Sequence, residues 1–174
     1  MESLRRLDYK LTEFIQKQDP DWRPFMAGVS FLGLPSVVLA FGLLGFVSTA
    51  WRGQSQAEQA FFLGAIAYGF NTMLKLLLRR QRPHNLDVTT FGVKSYSFPS
   101  GHAFGTVIFY GLFSYLDFTY VAKPWNWLTA GLLWLVIALV GVSRVYLKTH
   151  YVSDVVGGWL LGIVWLSVII GLAF

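Results

Sequence analysis

Two hydrophobic patterns follow one another along the chain. Between residues 3 and 18, Leu4, Leu7, Leu11, Phe14 and Ile15 recur at helical spacing, and Arg5, Arg6, Lys10, Glu13 and Lys17 occupy the other faces. This predicts an amphipathic helix, ended by Asp19-Pro20-Asp21 and suited to lying in a membrane–water interface. The segment lacks the apolar core and small-residue cleavage site of a signal peptide. From Phe25 on, apolar residues dominate five runs: about 25–50, 57–78, 102–121, 125–142 and 155–174. Each approaches the ~20 residues that cross a bilayer. Backbone polar groups in lipid must pair within the segment, so each run is expected to be a helix. The fold class is therefore all-α: a polytopic transmembrane bundle of about five spans plus an N-terminal interfacial helix. A single domain, 1–174, divides into the interfacial part, 1–24, and the bundle, 25–174.

Composition strengthens the membrane reading. Charged residues are only 13% of the chain against roughly 25% in soluble domains, and mean hydropathy is +0.52. Seven Trp and eight Tyr suit rings at the headgroup level. With no Cys, disulfides, thiolate metal sites and cysteine nucleophiles are excluded. The net charge of +5 gathers beside the apolar runs, so lipid phosphate headgroups rather than nucleic acid are the expected partner.

Connections between the runs are short except for residues 79–101, a polar loop with Pro83, Gly92 and Pro99. Five crossings place this loop, the amphipathic helix and the junction between the fourth and fifth runs on one side. The turns around Arg52 and Lys123 lie on the other. Gly158 and Gly162 form a GxxxG pair that favours close helix packing within the bundle.

Three polar clusters fall on the loop side. The first runs from Lys75 to Pro83, Lys-x6-Arg-Pro. Continued as a helix, it sets Lys75 and Arg82 on nearly the same side, Arg79 near them and Arg80 pointing away toward headgroups, until Pro83 stops it. Alone, such cations read as snorkelling side chains at a helix end. The second is Pro99-Ser100-Gly101-His102, with Ser100 as N-cap, a helix N-terminus suited to anions, a glycine that admits phosphate to the backbone and an imidazole that exchanges protons near neutrality. The third is Ser143-Arg144-x5-His150-x3-Asp154. If helical, it brings His150 to Asp154, whose carboxylate would fix the imidazole tautomer and leave the other nitrogen as a nucleophile. A surface His–Asp pair is the bland alternative. It is the joint occurrence that points to phosphoryl transfer: Lys75, Arg82 and Arg144 to neutralise a phosphoryl group, Ser100 and Gly101 to cradle it, and two imidazoles for acid and nucleophile work. No carboxylate cluster suited to Mg²⁺ or Zn²⁺ is visible, so no metal and no cofactor is expected.

In this order, K-x6-RP, PSGH and SR-x5-H-x3-D resemble the signature of the type 2 phosphatidic acid phosphatase (PAP2) family. The resemblance extends from the second run to the start of the fifth and looks like a compact bacterial subgroup that includes undecaprenyl diphosphate and phosphatidylglycerophosphate phosphatases. Soluble vanadium haloperoxidases look similar at the anion site, but five lipid-compatible runs argue against that branch. The resemblance implies that His150 attacks phosphorus to form a phosphohistidine, Asp154 orients it, and His102 protonates the leaving oxygen. It also implies that Lys75, Arg82, Ser100, Gly101 and Arg144 bind the phosphate. The expected enzyme is a metal-independent phosphatase of a membrane lipid: undecaprenyl diphosphate, phosphatidylglycerophosphate or phosphatidate. It is placed in the bacterial inner membrane with its site on the extracytoplasmic face. A non-catalytic carrier or scramblase of anionic lipids, to which Asn71 and Asp117 would contribute, is the alternative; it leaves the paired imidazoles without a task. His84 reads as a loop histidine in water. Phe31 and Phe104 are candidates for a tail groove that helix packing explains equally well. Oligomeric state and tail length stay open.

Overall fold

The computed structural model describes residues 2–90 and 92–174. It contains helices α1 (Glu2–Gln16), α2 (Arg23–Leu32), α3 (Pro35–Trp51), α4 (Ser55–Leu78), α5 (Gly101–Tyr120), α6 (Trp125–Tyr146) and α7 (Val152–Ala173). The loop between α4 and α5 carries the two-residue strands β1 (Thr89–Thr90) and β2 (Val93–Lys94), paired antiparallel.

The first apolar run is broken rather than continuous. Leu34 precedes Pro35, and its ψ of 141° leaves the helical region as a residue before proline tends to. Pro35 then opens α3. The segment Pro20–Leu32 and α3 meet at a bend of 40°. Gly33 at this elbow lies against α5 and α6, where a Cβ would run into Val140 and come within 3.1 Å of His102 Cδ2.

Helices α4, α6 and α7 are long and apolar enough to cross a membrane, and the bent pair makes a fourth candidate. The five expected crossings require α5 as well, and it falls short on composition: His102, Ser114 and Asp117 dilute it. Instead α5 is the axis of the bundle, packed by α3, α4, α6 and α7. Phe104, Val107, Ile108, Phe109 and Leu112 along it are at most 1% exposed. The outer surface is apolar as well, with Leu43, Leu44, Leu77, Trp127, Leu160 and Leu172 all more than half exposed. In lipid there is little hydrophobic drive between helices, so close approach of small residues must hold the bundle. The GxxxG pair does this between α7 and α5: a Cβ on Gly158 would sit 2.7 Å from the Ser100 carbonyl oxygen, and one on Gly162 2.8 Å from Val107 Cβ.

Helix α1 packs on α6 and α7. The side it turns inward is the polar stripe Asp8–Thr12 rather than its leucines. Thr12 is buried, and its hydroxyl accepts the Val152 N–H at 3.1 Å. Asp8 accepts the Ser153 N–H at 2.9 Å. These are first-turn donors of α7, which no intrahelical acceptor can serve. Leu4, Leu7, Leu11 and Phe14 stay exposed.

Candidate active site

The site lies at the end of the bundle where α4 and α6 finish and α5 and α7 begin. Lys75 and Arg82 do not share a helix face as their spacing predicts. Helix α4 ends at Leu78, and Arg79 caps it in the left-handed region with φ 48°. The chain reverses there, so Arg82 returns over the site from the loop. Lys75, buried in the last turn of α4, donates Nζ–H to the Tyr96 carbonyl at 3.1 Å. Arg82 donates to the Thr149 carbonyl at 2.8 Å, the Ser95 carbonyl at 3.1 Å and the Ser95 hydroxyl at 3.2 Å. Its Nη1 stands 3.1 Å from His150 Nε2.

His150 and Asp154 meet, but not along one helix. His150 precedes the N-cap Tyr151, and Asp154 sits in the first turn of α7 with its carboxylate folded back to accept the Tyr151 N–H at 2.9 Å. This places Asp154 Oδ2 3.4 Å from His150 Nδ1. Arginine can only donate, so the Arg82 contact assigns the acceptor lone pair to Nε2 and the proton to Nδ1, facing the carboxylate. Both residues are almost fully buried. Burial, then the cations Lys75, Arg82 and Arg144, hold the His150 pKa well below the ordinary histidine value. Burial likewise lowers the pKa of Arg82.

Arg144 comes from the last turn of α6, and its Nη1 donates to Ser30 Oγ of α2 at 2.6 Å. His102 stands in the first turn of α5. His102 Nε2 and Arg144 Nε are buried without a hydrogen-bond partner among the described residues. Lys75, Arg82, Gly101, His102, Arg144 and His150 line one cavity of about 230 Å³. No aspartate or glutamate among the described residues faces it. Lys94 lines it too, and four cations around so small a space, with the orphaned Arg144 Nε–H and His102 Nε2, want an oxyanion. Pro35, Tyr68, Thr72 and Leu76 complete the wall on the side of α3 and α4.

Two of the eight expected site residues stand behind the cavity rather than on it. Asp154 backs His150. Ser100 is fully buried; its N–H donates to the Asp154 carbonyl at 2.9 Å, and its side chain caps α5. Arg79 is exposed, with its Nε–H bonded to the Leu76 carbonyl at 3.0 Å, and takes no part. Arg80 overturns its expected direction: it points inward, to Asp154 at 2.7 Å and Asp8 at 3.0 Å. Ser97, which sequence reasoning missed, donates its hydroxyl to Asp154 Oδ2 and lies 3.5 Å from His150 Nδ1. Its one sequence signal is position, in the Ser95-Tyr96-Ser97 run just before Pro99. Ser30 carries no signal, since nothing in an apolar run marks one serine as the partner of an arginine 114 residues on. Phe104 belongs to the core, and Phe31 is exposed on the outer surface, so the two do not form a groove together. His84 is exposed, its ring 3.3 Å from Gln16 Oε1.

An apolar helical bundle with a cationic pocket and a buried carboxylate–imidazole pair at one end defines a class, the membrane phosphatases that act on lipid phosphates. Residues 57–174 match the PAP2 superfamily, and the chain belongs to it. It is 33% identical over 152 residues to phosphatidylglycerophosphatase B of Bacillus subtilis (strain 168), covering 79% of this chain and 68% of that protein. It is 30% identical over 153 residues to the putative undecaprenyl-diphosphatase YbjG of Escherichia coli (strain K12), covering 83% and 72%. Two crystal structures share the fold. The transmembrane PAP2 type phosphatidylglycerolphosphate phosphatase of Bacillus subtilis superposes with a TM-score of 0.84 at 24% identity, over 99% of this chain and 87% of that one. Aquifex aeolicus LpxE superposes with a TM-score of 0.72 at 22% identity, over 95% of each chain.

Proposed function

We propose that the protein hydrolyses the phosphate or diphosphate of a membrane lipid through a phosphohistidine on His150, without a metal ion. The carrying observation is one cavity lined by Lys75, Arg82, Arg144 and His150, with His150 Nε2 3.1 Å from Arg82 Nη1 and Nδ1 3.4 Å from Asp154 Oδ2. The cations and the orphaned Nε–H of Arg144 hold the non-bridging phosphate oxygens. The N-terminal N–H groups of α5, presented at Gly101 by the Ser100 cap, add to them. His150 Nε2 attacks phosphorus, and the P–O bond to the leaving oxygen breaks. His102 supplies the proton that oxygen takes, and Asp154 stabilises the cationic ring. Water, giving its proton back to His102, then attacks the phosphohistidine and releases inorganic phosphate.

The substrate class rests on the relatives, named for phosphatidylglycerophosphate and undecaprenyl diphosphate, with phosphatidate as the third candidate. Pro35, Tyr68 and Leu76 give the pocket an apolar flank between α3 and α4, through which a tail would pass into the bilayer. The architecture that accompanies this reading has five crossings. The bent α2–α3 pair counts as one and α5 as another, and α1 lies in the interface on its exposed leucines. The active site opens on the extracytoplasmic face of a bacterial inner membrane.

The test is phosphate release by detergent-purified protein, with excess chelator, from phosphatidate, phosphatidylglycerophosphate and a polyprenyl diphosphate. Wild type is expected to keep full activity, His150→Ala to lose it by about 10⁴-fold or more, and brief acid-free quenching to trap phosphate on His150. Equal activity in wild type and His150→Ala would remove His150 from the reaction. Lipid transfer without phosphate release would favour a carrier.

A further inference from the structure

The Asp154 carboxylate is held unevenly. Oδ2 receives two donors, the Tyr151 N–H and the Ser97 hydroxyl, and lies 3.4 Å from His150 Nδ1. Oδ1 is held by Arg80 Nη1 at 2.7 Å. Arg80 lies outside the phosphate cavity and does not touch it. It is fixed in turn by Asp8 of α1, at 3.0 Å from Nη2, and by Ser153 Oγ, 2.7 Å from Nη1, and it stacks on the Tyr151 ring 4.5 Å from its centroid. Asp8 also accepts both the N–H and the hydroxyl of Ser153, at 2.9 and 2.6 Å, which fastens it to the first turn of the helix that carries Asp154.

We propose that Arg80 and Asp8 are positioning residues for catalysis: the chain Asp8–Arg80–Asp154 sets the orientation and basicity of the carboxylate that His150 Nδ1 faces, so that α1 takes part in the reaction. The inference rests on the reading of His150 as nucleophile. The physical argument is that a carboxylate gripped at one oxygen can rotate about its Cβ–Cγ bond, and Arg80 closes that freedom from the far side. The guanidinium also draws charge from Asp154, and Asp8 offsets part of that pull. The two residues therefore act on His150 in opposite senses. Removing the cation leaves Asp154 more negative toward His150 and favours imidazolium. Removing Asp8 leaves Arg80 uncompensated and disfavours it. The other groups that face His150 are Lys75 of α4, Arg82 and Ser97 of the loop, His102 of α5 and Arg144 of α6, and none of them changes in these variants.

The experiment measures kcat, KM and the pH profile of kcat/KM on phosphatidate in detergent micelles for Arg80→Gln, Arg80→Lys, Asp8→Asn and, as a control, Arg79→Gln. Arg80→Gln is expected to lower kcat about 10- to 100-fold with KM nearly unchanged, and to move the acidic limb of the profile to higher pH. Asp8→Asn is expected to move that limb to lower pH. Arg80→Lys should recover part of kcat, and Arg79→Gln should match wild type. Substrate ionisation contributes the same limb to every variant, so differences between variants report the enzyme. Unchanged kcat in Arg80→Gln overturns the proposal. So does a fall in activity with an unmoved limb in both variants, which is the signature of a structural role alone. If Arg80→Gln does not purify as a monodisperse protein, Asp8→Asn and Arg80→Lys decide by the same limb. Activity surviving in His150→Ala would sink the underlying reading instead, whatever Arg80 does.

Discussion

His150 is a buried base among cations, and that placement has a thermodynamic sign. An unfolded histidine titrates near pH 6.5, whereas burial and the charges of Lys75, Arg82 and Arg144 hold the folded group well below its ordinary value. Between the two values the unfolded chain binds the extra proton. Stability from the neutral imidazole is therefore complete above about pH 6.5 and is lost as pH falls below it. Wild-type protein in detergent should show a falling apparent Tm between about pH 7.5 and about pH 5.5, and His150→Asn, which cannot take the proton, should show a shallower fall. The expected scale is roughly 2–4 °C for each kcal/mol lost. Identical slopes in the two proteins would mean that the folded histidine accepts its proton freely. In the proposed mechanism the same depression serves the chemistry, since a nucleophile at Nε2 has to keep its lone pair.

At the scale of the elements, the site depends on where helices stop. Helix α7 brings its first turn against the first turn of α5, and Gly158 is the point of contact, one turn below Asp154. A valine there would place Cβ 2.7 Å from the Ser100 carbonyl oxygen, backbone that cannot turn aside. Gly158→Val is expected to cost about 1–3 kcal/mol of stability and to abolish phosphate release, because Ser100 both caps α5 and donates its N–H to the Asp154 carbonyl. Gly171→Val, where a Cβ meets open space, should change neither. Thermal melting in detergent and a phosphate assay on the two variants check this, and a fully active Gly158→Val would break the link between packing and site. These contacts also explain what was legible in the chain. Period and run length marked the helices, and motif order marked Lys75, Arg82, Gly101, His102, Arg144 and His150 as one group, because both are local patterns. Helical continuity from Lys75 to Arg82 was the wrong geometry, since Arg79 turns left-handed and ends α4 early. Arg80 was misdirected by the same assumption. Ser30, Ser97 and Asp8 stayed hidden because their partners lie far along the chain, and no period connects a residue to a helix end that forms elsewhere.

Over the whole molecule the charges are lopsided, and orientation in the membrane is the consequence to test. Of fourteen Lys and Arg, only Arg52 and Lys123 lie at the end away from the active site. Counted simply, cations on the near side would draw that side into the cytoplasm. Much of that excess is committed to other work. Lys75, Arg82 and Arg144 line the cavity of the candidate site. Arg80 is paired with Asp8 and Asp154, Arg6 with Glu2, Lys17 with Glu13, and Lys94 with Asp87, but acids count little in that rule and the conflict stands. Arg5, Lys10, Arg23, Arg79 and Lys148 remain on that side without a carboxylate partner among the described residues. A functional demand for cations thus competes with their use as a topology signal, because a lipid phosphatase needs them wherever its substrate headgroup lies. If five helical segments cross, Phe174 ends on the side opposite the active site. An extracytoplasmic site then requires a cytoplasmic C-terminus. A fluorescent protein that matures only in the cytoplasm, fused after Phe174, is expected to glow, and a periplasm-dependent alkaline phosphatase fused at the same point to stay inactive. The reverse pair of results would turn the molecule over and place its substrate in the inner leaflet. An active phosphatase reporter at Phe174 together with a second one active in the loop near Asp87 would instead mean an even number of crossings after that loop, with α5 failing to span.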